Sequence, residues 1–259
     1  MRFFNHQRDR LIVISSLFLS LCGPTNFVSA QLLTNVPTHK TSALIISPLV
    51  GVEKNEDLKT RKTDKSPEYG LFAMYASPRF VVNNTTFFTD VNQSDVKGNI
   101  TSVSLYGDSK ANLTWFLGGS YIWHQIGTRT VKVTIAEPLG KVGVVWRIRP
   151  IHLSITPYVG YGQETVRTEF PPAWGLRDDR NRSDIAVYGI STYWHWRMLG
   201  ADAKYYLSND LDHGTLNNTF RVWGTAMFSK QMGVLARFEY TEQNTTKDTS
   251  FLFGPVFVF

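Results

Sequence analysis

His152 and Ser154, two residues apart in "HLS", are a pair whose types could carry nucleophilic chemistry, with the imidazole as base and the hydroxyl as attacking group. On an extended strand, residues i and i+2 share a face, so the spacing would bring them together. Nothing else in the chain supports catalysis: there is no glycine-rich phosphate loop, no HExxH helix and no GxSxG elbow. His39, His124, His152, His195 and His213 fall on separate segments without ligand spacing, and Cys22 is the sole cysteine. No metal or cofactor is therefore expected, and a thiolate nucleophile is excluded outside the region of Cys22.

The element that must position His152 and Ser154 reads "PIHLSITPYVGYG" over 150–162. Ile151, Leu153, Ile155, Pro157, Val159 and Tyr161 alternate with His152, Ser154, Thr156, Tyr158, Gly160 and Gly162. Such a run matches the roughly ten residues of a tilted membrane strand. "LGADAKYYL", "FRVWGTAMF" and "GVLARFEY" repeat the pattern, with Asp202, Lys204, Arg221, Arg237 and Glu239 all opposite the apolar row. Strands are expected at 41–52, 68–77, 79–90, 100–108, 111–124, 140–149, 150–162, 184–196, 199–207, 219–228, 232–240 and 250–259. Tight links at 108–111, 149–150, 197–198 and 229–232 alternate with long polar ones at 53–67, 91–99, 125–140, 163–184, 208–218 and 241–249. Short turns on one rim and long loops on the other are the habit of transmembrane β-barrels. The fold class is thus all-β, an antiparallel transmembrane barrel of about twelve strands, with ten and fourteen as the alternatives.

The start of the chain supplies the route to a membrane. Arg2, Arg8 and Arg10 precede the apolar run "LIVISSLFLSL", which Gly23-Pro24 break before the small residues of "VSA" at 28–30. That is the pattern of a cleaved secretory leader over 1–30, too short for an anchor. A short periplasmic segment, 31–40, and a barrel domain, 41–259, follow. The formal charge of +6 is spread along the chain, which argues against a nucleic-acid partner. A mean hydropathy of −0.17 leaves no membrane helix, and a barrel's alternation hides its apolar face from such an average.

Aromatic placement is an independent check. Trp115 and Trp123 share a face eight positions apart, which at about 3.3 Å per residue and a tilt near 40° separates them by roughly 20 Å along the normal. An outer-membrane barrel keeps about 25 Å between its aromatic girdles. A soluble β-sandwich would use the 14% aromatics for its core, but would not need the leader, the loop asymmetry and the girdle spacing together.

The last strand, "SFLFGPVFVF", is apolar on both faces and ends on an aromatic residue. It resembles the C-terminal signal of bacterial outer-membrane β-barrel proteins in Phe253, Phe257 and Phe259, with Pro255 departing from the usual pattern. The resemblance implies a Gram-negative outer-membrane location, lipid contact, recognition of that strand by the barrel assembly machinery, and pairing of it with the first strand near "SALIISPLVGV". The His152/Ser154 pair is similar to the H-x-S arrangement of outer-membrane phospholipases and lipid A deacylases, but "ITP" follows Ser154 where a deacylase-like chain carries an Asn. The pair also falls at the short-turn rim, away from outer-leaflet lipid, so no enzymatic activity is expected. Pro48, Pro157 and Pro255, all inside expected strands, count against a closed barrel, because it has no free edge where a missing donor is harmless.

Inside the barrel, Arg147, Arg149, Asp202, Lys204, Arg221, Arg237 and Glu239 are the expected lumen groups, more basic than acidic. They favour a porin-like channel for small solutes that leans toward anions. The opposing possibility is that Asp202 pairs with Lys204 or Arg237, and Arg237 with Glu239, neutralising a narrow interior. Phe170, Trp174 and Arg177, in the loop 163–184, suit either a constriction folded into the lumen or an outward adhesive tip. The sequence therefore leaves a non-conducting structural or adhesin-like barrel as the alternative, and says nothing of oligomeric state.

Overall fold

Alternation carries the chain through twelve strands that close on themselves. The computed structural model describes residues 43–77, 79–91, 94–108, 111–127, 131–196, 198–229, 231–243 and 245–259. The leader expected at 1–30 and the segment 31–40 lie outside the described residues. The strands are β1 (Ala43–Asp57), β2 (Lys62–Ala76), β3 (Phe80–Val91), β4 (Ser94–Tyr106), β5 (Leu113–Gly127), β6 (Lys132–Ile148), β7 (Leu153–Glu169), β8 (Asp179–Trp196), β9 (Leu199–Asp210), β10 (Thr215–Met227), β11 (Met232–Glu242) and β12 (Thr246–Val258). Each pairs antiparallel with its chain neighbours, and β12 returns to β1. All twelve expected strands are present, and β6 begins at Lys132, inside the stretch 125–140 expected as a loop.

What sequence alternation placed in long loops is mostly strand. The ladder between β1 and β2 runs unbroken from Ala43↔Ala76 to Asp57↔Lys62, so 53–67 is a hairpin with only Leu58–Arg61 as its turn. Likewise β7 and β8 stay paired to Thr168↔Asp179, which leaves 170–178 outside the ladder. The reason is physical. Above the lipid the outward face meets water, so Lys54, Glu56, Arg167 and Arg180 replace apolar residues there, and the apolar signal stops before the strand does.

The outward row holds the lipid-facing residues. Trp115, Trp146 and Phe259 near the short-turn rim, and Tyr69, Tyr121 and Tyr161 higher up, are each about half exposed or more. The inward row is packed. Phe72, Ile122, Tyr193, Tyr206, Trp223 and Leu252 are fully buried. The Phe72 and Trp223 rings, on β2 and β10 with three strands between them around the wall, meet across the lumen with centroids 5.4 Å apart. Twelve strands leave an interior that side chains of this size can bridge.

The strand prolines are accommodated by glycines. Pro48, Pro157 and Pro255 all face outward. A Cβ on Gly254 would lie 1.8 Å from the Pro48 carbonyl oxygen, one on Gly143 2.4 Å from that of Pro157, and one on Gly162 2.2 Å from that of Pro138. At Pro48, Pro157 and Pro138 the neighbouring strand presents a glycine, and the proline carbonyl rests against its backbone. The wall closes around Pro48 and Pro157 in this way, while the Pro255 carbonyl accepts from the Ser47 hydroxyl instead.

Candidate functional site: the barrel lumen

Register sets the lumen's chemistry in rungs that cross the strands. One rung reads Lys204↔Arg221↔Glu239↔Ser250↔Glu53↔Ser66 from β9 to β2. The rung beneath it reads Asp202↔Trp223↔Arg237↔Leu252↔Gly51↔Glu68. The rung above contributes Thr219↔Thr241↔Asp248↔Asn55. These positions alternate with the lipid-facing row, which is why their side chains point inward.

Two ion-pair groups occupy this belt. Arg221 donates from Nε and Nη2 to the two Glu239 oxygens at 2.7 and 2.5 Å, and Arg237 donates to the same carboxylate. Lys204 lies 3.6 Å from Asp202, with both side chains buried. The Arg237 guanidinium also stands over the Trp223 ring, 5.6 Å from its centroid. The pairings Asp202–Lys204 and Arg237–Glu239 are among those weighed from sequence, and Arg221–Glu239 adds a third.

The balance of charge differs from the sequence expectation. Seven carboxyl groups are buried on the inward face, those of Glu53, Glu68, Glu137, Glu164, Asp202, Glu239 and Asp248, against four cations, Lys141, Lys204, Arg221 and Arg237. Among the described buried residues the excess is acidic, not basic. Sequence reasoning passed over Glu53, Glu137, Glu164 and Asp248 because they sat in stretches assigned to loops, and it left out Glu68 and Lys141. Parity would have found them: Ser47, Leu49, Gly51, Glu53 and Asn55 continue one inward row without a break.

Arg147 and Arg149 do not join the belt. Arg147, at the end of β6, donates to the carbonyls of Asp108 and Ala111 at 3.1 and 2.8 Å and so ties down the β4–β5 turn. Arg149 is exposed in the 3-10 turn Arg149–Ile151. His152 closes that turn with a left-handed backbone, φ 53°, and is exposed, whereas Ser154 lies buried on β7. The shared strand face expected of them is absent, since His152 precedes the strand. Its ring instead packs against that of His195, 4.7 Å between centroids.

The stretch carrying Phe170, Trp174 and Arg177 is the tip of the β7–β8 hairpin. Residues 172–182 are exposed, and Trp174 sits in a 3-10 turn, Pro172–Trp174, with 46% of its surface free. Arg167 binds Asp178 at 3.4 Å, and the Phe170 N–H donates to the same carboxylate at 3.4 Å, which steadies the tip. A second inward cluster, Phe87, Val96, Ile100, Ile122, Ile126, Val133 and Ile135, lines the opposite wall, with the His124 ring tilted against that of Phe87, 5.1 Å between centroids.

At the C-terminus, Phe251, Phe253 and Phe259 are exposed to the lipid side, with Phe257 half-buried beside them. Phe259 and Leu44 exchange backbone hydrogen bonds of 2.9 and 3.1 Å, so the last residue closes the barrel onto β1.

No protein-family model matches the chain, and no curated protein matches it either. Solved structures do. The translocator domain of autotransporter NalP from Neisseria meningitidis superposes with a TM-score of 0.53 at 11% identity, over 86% of this chain and 91% of that one. The β domain of the Bordetella autotransporter Brka gives 0.50 at 12% identity, over 85% and 100%. The NanC porin gives 0.49 at 10% identity, over 80% and 98%. With identities so low the likeness is one of fold, and the fold here is a closed antiparallel β-barrel of twelve strands.

Proposed function

We propose that the barrel is a channel for small solutes, closed in the conformation described above, and that its lumen favours cations. The carrying observation is the belt of buried ionisable side chains, acidic in excess. A wall with only a structural duty gains little from such groups, since apolar residues of similar volume commonly serve stability as well or better. Ionisable groups kept inside a membrane protein line paths for ions and polar solutes. The Phe72–Trp223 contact and the ion pairs account for a closed resting state.

The remaining parts fit that role. Residues 1–30 serve as a leader removed on export, and Phe253, Phe257 and Phe259 present the strand that the assembly machinery recognises. The acting groups bind and pass solute without covalent chemistry. Single-channel current across a planar bilayer, with a salt gradient, tests the proposal. Discrete steps with a reversal potential on the cation side support it. A folded barrel that stays silent, even with Trp223 cut to alanine, rules it out.

The exposed Trp174 at the β7–β8 tip, with the half-buried Phe170 near it in the chain, favours a second reading, adhesion through the outer hairpins. Deleting 171–177 would then abolish surface binding and leave current unchanged.

A further inference from the structure

Arg221 and Arg237 share the single Glu239 carboxylate, and beside them three buried carboxyl groups have no ion pair among the described residues: Glu53, Glu68 and Asp248. They come from β1, β2 and β12 and line one cavity of about 20 Å³, whose far side is formed by Phe87 and Ile100. Part of their hydrogen-bonding capacity is used. Ser250 donates to Glu68 at 2.6 Å, and Asn55 donates from Nδ2 to Asp248 Oδ1 at 2.5 Å. Glu53 Oε2 and Asp248 Oδ2, on side chains 3% and 5% exposed, accept nothing.

Buried carboxylate oxygens without donors are costly, and three such groups around one cavity repel each other. Arg237 lines the same cavity, but with Arg221 it brings two positive charges against the four carboxyl groups of Glu53, Glu68, Asp248 and Glu239, so a further positive group is still called for. The cavity holds about one water-sized group. No set of three described histidine, aspartate or glutamate side chains is arranged to hold a metal ion. A primary ammonium has the right size, charge and three N–H donors. Phe87 and Ile100 opposite the acids suit the alkyl carbon that such a nitrogen carries.

We propose that the cavity between Glu53, Glu68 and Asp248 seats the ammonium head of a primary alkylamine. As the solute class of the channel, this rests on the function proposed above; as a binding site it is measured apart from conduction. The refolded barrel is unfolded thermally in methylammonium chloride and in tetramethylammonium chloride at equal ionic strength. The second cation has no N–H and is too large. Methylammonium is expected to raise the midpoint by about 5 °C over tetramethylammonium at concentrations well above its dissociation constant. The difference should vanish in the Glu53→Gln/Asp248→Asn double variant and persist in Glu56→Gln, whose side chain faces outward. Equal midpoints in the two salts for the unmodified barrel overturn the proposal and need no variant to fold. A difference that survives the double substitution overturns it too, as does a midpoint that responds to pH alone, which would mean that protons occupy the site. A silent bilayer with the salt difference intact would sink the channel and keep the seat, and a conducting barrel without it would do the reverse.

Discussion

Pro48 stands directly opposite Pro255 across the β1–β12 seam. The register on either side, Ile46↔Phe257 and Val50↔Phe253, places them in one pair, and the ladder skips it. Hydrogen-bonded pairs recur at every second position along this seam, as at Leu44 and Phe259, so this is a rung where both donors would be needed and both are missing. The Ser47 hydroxyl supplies one replacement, donating 2.7 Å to the Pro255 carbonyl. The line where the chain closes on itself is thus also a line of weakened pairing.

Ser47→Ala should therefore cost more than its exposed-loop equivalents. It strips the Pro255 carbonyl of its donor in a place that water does not reach, for a loss of about 1–3 kcal/mol. Urea unfolding in liposomes reads this directly. A change within a few tenths of a kcal/mol would mean that the carbonyl finds another partner.

Glu239 holds two guanidinium groups, so Glu239→Gln leaves Arg221 and Arg237 with uncompensated buried charge. The expected loss is about 3–5 kcal/mol. Replacing all three with apolar residues of similar volume should restore most of that stability, because no charge then remains to be buried. Restoration with altered ion selectivity would separate the network's structural cost from its effect on permeation. No restoration would show that the network itself specifies the packing.

Arg147 tests the division between wall and lumen. Its two bonds to the Asp108 and Ala111 carbonyls predict that Arg147→Ala loosens the β4–β5 turn and costs about 1.5–3 kcal/mol, while ion selectivity stays unchanged. A shifted reversal potential without loss of stability would return Arg147 to the lumen role that its parity alone suggests.

How much of this was legible in the sequence depends on which solvent each residue faces. The lipid-facing row is apolar at every second position, and it revealed all twelve strands, the Phe259 closure and the inward parity of Asp202, Lys204, Arg221, Arg237 and Glu239. Above the lipid both strand faces are polar, so alternation lost β1 after Val52 and β7 after Gly162. Glu53 and Glu164 went with those extensions, and Glu137 and Asp248 with the matching ends of β6 and β12. The Pro48–Pro255 pairing and the Arg221–Glu239 fork depend on register between strands, which no single-strand pattern contains.

The β1–β2 hairpin above the membrane has a pH-dependent cap. The Thr60 and Lys59 backbone N–H groups donate to Asp57 Oδ1 at 2.9 and 2.8 Å and hold its carboxyl below the usual aspartate range. A depressed folded value means that the cap is fully formed above the unfolded aspartate range, near pH 4, and is lost as pH falls through the folded value. Amide exchange at Lys59 and Thr60 should accelerate over that acidic window alone. Asp57→Asn should flatten the dependence, and acceleration already at neutral pH would show that Asp57 does not set the turn.

Trp223 is where closure of the lumen can be tested most directly. It is fully buried, touches Phe72 from the opposing wall at 5.4 Å and lies under the Arg237 guanidinium. Trp223→Ala removes the largest of these bridging side chains and leaves the ion pairs of Arg221 and Lys204 in place. In an apolar core such a truncation costs about 3–5 kcal/mol, and water entering between charged neighbours lowers the figure here by hydrating them. The expected outcome is a folded, less stable barrel whose open-state current exceeds that of the parent at least several-fold. Trp223→Phe, which keeps a ring against Phe72, should stay near the parent. If both variants conduct alike, the ring contact is not what closes the pore, and the arginine–glutamate fork beside it becomes the candidate for the barrier.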